Sequence, residues 1–275
     1  MTGLRCPVCA APLVQVGRVL RCPAAHSFDL AKEGYAYLLP LQKKHTAAPG
    51  DDKAMVQARR AFLQAGYYDA FRTALAALCL QYAPAAQPHI VDAGCGEGSY
   101  DQTVLAAFAA QGRAPALLGF DLSRDAVRLA AKLVPAAGFA VGGSFCAPVQ
   151  DGWADVLLNI FSPFAGAEFL RMLRPGGVLL YAVPTARHLL GLKQLLYDTP
   201  YENEAKDTRY EGFGFVRAEE VTDTITVPAA HLQALFAMTP YYWKTPAAGA
   251  ARLAQCESLT TEIGFRFLVY QKKSR

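Results

Sequence analysis

Two sets of residues in this chain have the types and spacing to do chemistry. The first is Cys6-Pro-Val-Cys9 followed by Cys22 and His26, a C-x2-C-x12-C-x3-H pattern. Each half is a short knuckle that can place two ligands on one ion. Three thiolates and one imidazole complete a closed tetrahedral zinc site, and a site with no open position is structural rather than catalytic. A module this small cannot bury a sufficient core, so metal binding is expected to drive its folding. Disulfides are the alternative. They are disfavoured because the N-terminus lacks a basic-then-apolar signal pattern, and the expected setting is the cytoplasm, where thiols stay reduced. Cys79, Cys95, Cys146 and Cys256 are scattered and read as structural.

The second set is Val91-Asp-Ala-Gly-Cys-Gly-Glu-Gly-Ser-Tyr100. Gly94, Gly96 and Gly98 let the backbone turn with positive φ and let a ligand approach the main chain closely. The helix expected from Ser99 offers unpaired N–H groups to a polar or anionic ligand. Spacing decides which ligand. A dinucleotide fingerprint needs glycine at its sixth position, which here is Ser99. A phosphate loop needs Lys followed by Ser or Thr after the last glycine, and none is present. What remains, D-x-G-x-G-x-G with Asp92 as its acid, resembles the first motif of class I S-adenosylmethionine-dependent methyltransferases. A second acid belongs after the next strand, where it can hold both ribose hydroxyls, and Leu117-Leu-Gly-Phe-Asp121 supplies it. Asp92, Gly94, Gly96, Gly98 and Asp121 are therefore the expected cofactor set.

These residues need a scaffold, and from His89 the pattern alternates strand and helix. Strands are expected at 89–93, 116–120, 139–141, 154–160 and 178–183, and helices at 99–110, 124–134, 167–173 and 187–198. Such alternation gives a parallel sheet wrapped on both faces, with ligands at the strand carboxyl ends. Arg174-Pro-Gly-Gly177 reads as the tight turn before the fifth strand. Segments 213–227 and 259–271 alternate apolar and polar residues and are expected to close the sheet as an antiparallel pair. The fold class is then α/β: a Rossmann-like, seven-stranded sheet with its last strand antiparallel, plus a small N-terminal zinc-binding domain. Upstream, residues 12–21 read as a hairpin turning near Gly17, and Gln42 to Gly50 as a polar loop. Asp51 or Asp52 caps a helix that ends at Gly66, and Tyr67 to Tyr82 forms a second, which places Tyr68 over the cofactor pocket. Residues 1–40 are assigned to the zinc module, 41–84 to connecting helices and 85–275 to the methyltransferase domain.

Composition excludes a disordered chain. Hydrophobic residues make up 53% of the 275 positions, enough for a large core. No uninterrupted apolar span of about 20 residues is present, so no transmembrane helix is expected. Residues 1–60 hold nine Lys/Arg against four acids, whereas the remainder holds 18 against 19. The positive excess therefore lies in the N-terminal fifth, where an RNA backbone would be met.

The knuckles, Ala31-Lys-Glu-Gly-Tyr35, Pro49-Gly-Asp51, Ala58-Arg-Arg-Ala-Phe62, the glycine motif, Asn159-Ile-Phe-Ser-Pro163 and Met238-Thr-Pro240 together resemble the bacterial ribosomal RNA large-subunit methyltransferase A family. The likeness runs from Cys6 to the C-terminal strand. It implies methyl transfer from S-adenosylmethionine to N1 of a guanine in hairpin 35 of 23S rRNA, at position 745 or 748 of that RNA. By motif, it places the zinc ligands on Cys6, Cys9, Cys22 and His26, and cofactor contacts on Tyr68, Gly96, Glu97 and the His188 of Thr185-Ala-Arg-His188. It also implies a capacity to form homodimers; no membrane partner is expected, because no apolar span is long enough. Asn159 is the candidate for positioning guanine and Phe161 or Phe164 for stacking on it; no general base is assigned. Asn159 stands where the family's other branch has Arg, which leaves the target position open. Two other readings use the same residues: methylation of another RNA or a small molecule, and a catalytically silent zinc-containing RNA-binding protein. Salt-sensitive RNA binding and turnover on RNA separate them.

Overall fold

The computed structural model describes residues 1–40, 50–84, 87–204 and 209–273, so the loop expected from Gln42 lies, except for Gly50, outside the described residues. The N-terminal module is a three-stranded antiparallel sheet of β1 (Val14–Val16), β2 (Val19–Arg21) and β3 (Ser27–Asp29). Val16 pairs with Val19, which makes Gly17-Arg18 a two-residue hairpin loop. Then come β4 (Ala36–Tyr37), α1 (Lys53–Gln64) and α2 (Asp69–Tyr82). Asp52, not Asp51, caps α1, its Oδ1 accepting from the Met55 N–H at 2.8 Å.

The alternating region follows as β5 (His89–Ala93), α3 (Ser99–Ala110), β6 (Ala116–Asp121), α4 (Arg124–Leu133), β7 (Gly138–Val141), β8 (Ala154–Ile160), α5 (Gly166–Met172), β9 (Leu173–Pro184) and α6 (Leu190–Leu196). The chain closes with β10 (Phe213–Pro228), α7 (Ala229–Ala237), a 3-10 turn (Pro240–Trp243), α8 (Ala247–Ala254) and β11 (Ser258–Lys272). The long strands β10 and β11 pair antiparallel, from Phe213 opposite Lys272 to Pro228 opposite Ser258. The helical insertion that joins them was not anticipated. Its apolar run is bounded by Pro228 and Pro240, which punctuate the helix without entering it.

The main sheet has the order β10-β11-β9-β8-β5-β6-β7-β4. All neighbours from β9 to β4 are parallel, and β11 runs antiparallel to both β9 and β10. The seven expected strands are thus present, and an eighth is added: Ala36 and Tyr37 pair with Ala140 and Val141 at the edge. A two-residue strand carries no periodicity, so it could not be read from sequence. All seven residues of β8 are buried, as a central strand covered on both faces requires. Helix α6 begins three residues later than expected because Leu189 is in the left-handed region (φ 56°). Among the described residues no helix is long and apolar enough to cross a membrane.

The chain leaves β5 toward β6 and β7, then crosses back to place β8 on the other side of β5. At such a switch point the loops after the two strands diverge and open a crevice at their carboxyl ends. The glycine turn leaves β5 there, and Phe161 to Pro163 leave β8, whose last residues are Asn159 and Ile160.

Candidate active site and metal centre

The metal centre is built by two knuckles facing each other. Ligand atoms of Cys6, Cys9, Cys22 and His26 all lie within 4.8 Å of one another. Cys9 Sγ is 3.6 Å from Cys22 Sγ, and His26 Nδ1 is 3.6 Å from Cys6 Sγ and 3.3 Å from Cys22 Sγ. A tetrahedron with Zn–S near 2.3 Å and Zn–N near 2.0 Å has edges of about 3.8 Å (S···S) and about 3.5 Å (S···N). The donor set and its spacing therefore fit zinc, with His26 ligating through Nδ1. Ala10 (φ 60°) and Ala25 (φ 64°) close the knuckles in left-handed conformations that usually fall to glycine. The module is seated on the large domain: Leu4 bridges Val149, Arg5 pairs with Asp151 at 2.9 Å, and Leu4, Leu13 and Leu20 join the core beneath the sheet.

At the crevice, Gly94 and Gly98 adopt φ of 90° and 87°. A Cβ on Gly94 would lie 2.7 Å from the Ser162 Cβ, and one on Gly98 would lie 3.0 Å from the Ala130 Cα. The first glycine lets the two strand-end loops touch, and the second lets α4 pack against the entry to α3. A Cβ on Gly96 would meet nothing within 4 Å, so the middle of the turn faces open space. Asp121, at the end of β6, accepts from the Gly96 N–H at 3.1 Å and from the Ser123 N–H at 2.8 Å. Each oxygen keeps a lone pair for a hydroxyl. Burial raises the Asp121 carboxyl above the ordinary carboxylate range, and the two N–H donors oppose that rise.

Asp92 has no solvent exposure, and neither of its oxygens has a hydrogen-bond donor among the described residues. Burial pushes its pKa up to about 7. Glu97 is also buried, one of its oxygens has no partner among the described residues, and burial raises it despite Ser99, Arg59 and Arg60 nearby. Buried acids without donors mark a place that a polar or cationic ligand completes. A cofactor with an α-ammonium, ribose hydroxyls and a sulfonium fits these groups. Helix α1 closes over this region: Arg59 pairs with Asp51, whose carbonyl accepts from Ser123 Oγ at 2.8 Å.

His188 and Tyr68 are brought together from distant segments, with the Tyr68 hydroxyl 3.3 Å from Nε2. His188 Nδ1 accepts from the Gly264 N–H at 3.2 Å, so the neutral ring carries its proton on Nε2 and donates it toward Tyr68. Burial lowers the imidazole to about 4, and both nitrogens are engaged, so it is neutral at pH 7 and not free to act as a base. Asn159 is fully buried: its amide N–H groups face the Ala93 carbonyl at 3.4 Å and Ser162 Oγ, while its Oδ1 has no partner among the described residues. Phe161 has φ 51°, is 44% exposed, and sits 6.3 Å from His188 and 5.7 Å from Phe71, near-parallel to both. Phe164 instead stacks on Tyr210 at 3.9 Å. The two phenylalanines are thus separated, and only Phe161 presents a ring to the crevice. Ser162 stands in the motif Asn159-Ile-Phe-Ser-Pro163 but carries no expected role, and Asp101 reads as an ordinary first-turn acid of α3.

The family model for the RlmA N-terminal zinc ribbon matches residues 4–47. A Streptomyces fradiae relative named 23S rRNA (guanine(748)-N(1))-methyltransferase is 36% identical over 260 residues, covering 92% of this chain and 90% of its own. A Micromonospora griseorubida protein, named provisionally as a 23S rRNA (guanine-N(1)-)-methyltransferase, is 36% identical over 294 residues, covering 98% and 97%. This chain belongs to that family. The 23S rRNA guanine-N1-methyltransferase family thus joins a zinc ribbon to a class I S-adenosylmethionine-dependent methyltransferase fold. Among solved structures, the Bacillus subtilis YcgJ protein shares the fold of the larger part: TM-score 0.51, 13% identity, 73% of this chain and 98% of that one.

Proposed function

We propose that this chain methylates N1 of a guanine in hairpin 35 of 23S rRNA, with S-adenosylmethionine as donor. The observation that carries the reading is identity of 36% to the Streptomyces fradiae enzyme over 92% of this chain. That relative's name favours guanine 748 over 745 as the target. When bound, the cofactor supplies an electrophilic methyl on a sulfonium, so the protein's task is alignment for in-line attack.

The chain's residues divide that task. Asp121 accepts from the ribose hydroxyls, and Asp92, Gly94, Gly96, Glu97 and Gly98 hold the amino-acid end against the turn. Tyr68 and His188 form the apolar, hydrogen-bonded wall opposite. The half-exposed Phe161 ring stacks on the guanine, and the Asn159 Oδ1, without a partner among the described residues, lies beneath the same loop to orient the base edge. The basic zinc module presents the RNA. Cytoplasmic location and a homodimer belong to the same reading; sedimentation of the zinc-loaded protein tests the latter.

The test is transfer of labelled methyl to unmodified 23S rRNA or immature large subunits, mapped by primer extension. N1-methylguanine blocks the Watson–Crick edge, so a stop in hairpin 35 is expected, at 748. A stop outside hairpin 35, or no incorporation with cofactor binding intact, overturns the proposal.

A further inference from the structure

Asp101 has no place in the account above. It lies in the first turn of α3, has no solvent exposure, and faces Asp92. None of the four oxygens of the two carboxyls finds a donor among the described residues. The titratable groups that reach the pair are Asp121 from β6, Glu97 and Cys95 from the glycine turn, Cys79 from α2 and Tyr100 from α3. None of these is a cation. Two like charges buried away from solvent cannot both persist without a counter-ion, so the pair retains a proton at neutral pH. Burial raises both carboxyls, in agreement with that geometry.

We propose that Asp101 is a positioning residue that holds Asp92 through this shared proton, and that docking of the cofactor's α-ammonium on Asp92 drives the proton into solvent. The inference rests on the methyl-transfer reading. Its balance is simple. Before binding, the pair carries one proton and one negative charge; afterwards it carries two negative charges facing one ammonium, and the proton has left as hydronium or bound to buffer. Only an O–H bond breaks. Cofactor affinity then rises with pH, about tenfold per unit while one proton is displaced per molecule bound.

The experiment is calorimetry on the full, zinc-loaded chain at pH 6.5 in buffers of differing protonation enthalpy. S-adenosylmethionine is compared with 5′-methylthioadenosine, which keeps the nucleoside and lacks the amino-acid tail. Close to one proton released per S-adenosylmethionine and none per methylthioadenosine is expected. Asp101→Asn should bind the cofactor with the release reduced toward zero, which a merely structural role would not produce. Binding heat that does not vary with buffer, equal release with methylthioadenosine, or an unchanged count in Asp101→Asn would overturn the inference alone. Should that variant fail to fold, the two ligands on the wild-type chain still decide. No binding of S-adenosylmethionine at all would overturn the methyltransferase reading together with it.

Discussion

Replacing Asp92 by Asn should strengthen the fold and weaken the site. Burial raises this carboxyl from its ordinary 3.8 to about 7. An acid whose folded-state value lies above its unfolded one contributes in full below the unfolded value, and that contribution is lost as pH rises through the folded value. At 1.36 kcal/mol per unit the loss by pH 8 is about 4 kcal/mol, an upper figure because Asp101 shares the proton. At pH 5 it is only about 1.5 kcal/mol by the same relation. Asn keeps the shape, carries no charge and gives Asp101 the donor it lacks. Urea unfolding of zinc-saturated protein should therefore show Asp92→Asn more stable than wild type by roughly 2 to 4 kcal/mol at pH 8, with the advantage at least halved at pH 5. Cofactor affinity should fall tenfold to a hundredfold, the worth of one charge-assisted hydrogen bond of about 1.5–3 kcal/mol. Opposite signs for stability and affinity are the signature. A lower unfolding midpoint at pH 8, or undiminished affinity, would refute the reasoning.

Three further outcomes follow from the geometry. Asp121→Ala strips the acceptor from the Gly96 and Ser123 N–H groups and should cost about 3 kcal/mol, or a hundredfold, in cofactor Kd, with circular dichroism unchanged; activity equal to wild type would sink the assignment. Ala25→Gly relieves a left-handed alanine in the second knuckle and should hold zinc up to about fivefold more tightly in a chelator competition; weaker retention would show that the knuckle is not strained. Gly98→Ala adds a Cβ 3.0 Å from the Ala130 backbone at φ 87° and should lower stability by about 1–3 kcal/mol, read as a drop in Tm; an unchanged Tm would contradict it.

The parts legible in the sequence were those fixed by local chemistry. Three cysteines and a histidine at knuckle spacing need each other whatever the rest of the chain does, and they meet. The strands β5 to β8 announce themselves because parallel strands buried on both faces are continuous apolar runs. Pairings without local periodicity escaped. β4 exists only because β7 offers an edge, and α7 and α8 lie in a stretch whose prolines read as interruptions. His188 was named by motif, but its tautomer depends on the Gly264 N–H, 76 residues away. Asp101 is legible only in three dimensions, since a first-turn acid ordinarily faces solvent and favours the helix dipole.

The two edges of the main sheet are defended in different ways. β10 carries Arg217, Glu219, Glu220 and Asp223 and ends at Pro228, so it discourages pairing by its own chemistry. β7, Gly-Phe-Ala-Val, has no charge and no proline, and among the described residues its outer edge is covered by the short run Ala36 to Leu38 from the zinc-bearing segment. Metal loss would therefore unseat more than the zinc module. It would bare an apolar strand edge able to template another chain, so zinc starvation should remove this enzyme from a cell by aggregation as well as by inactivity.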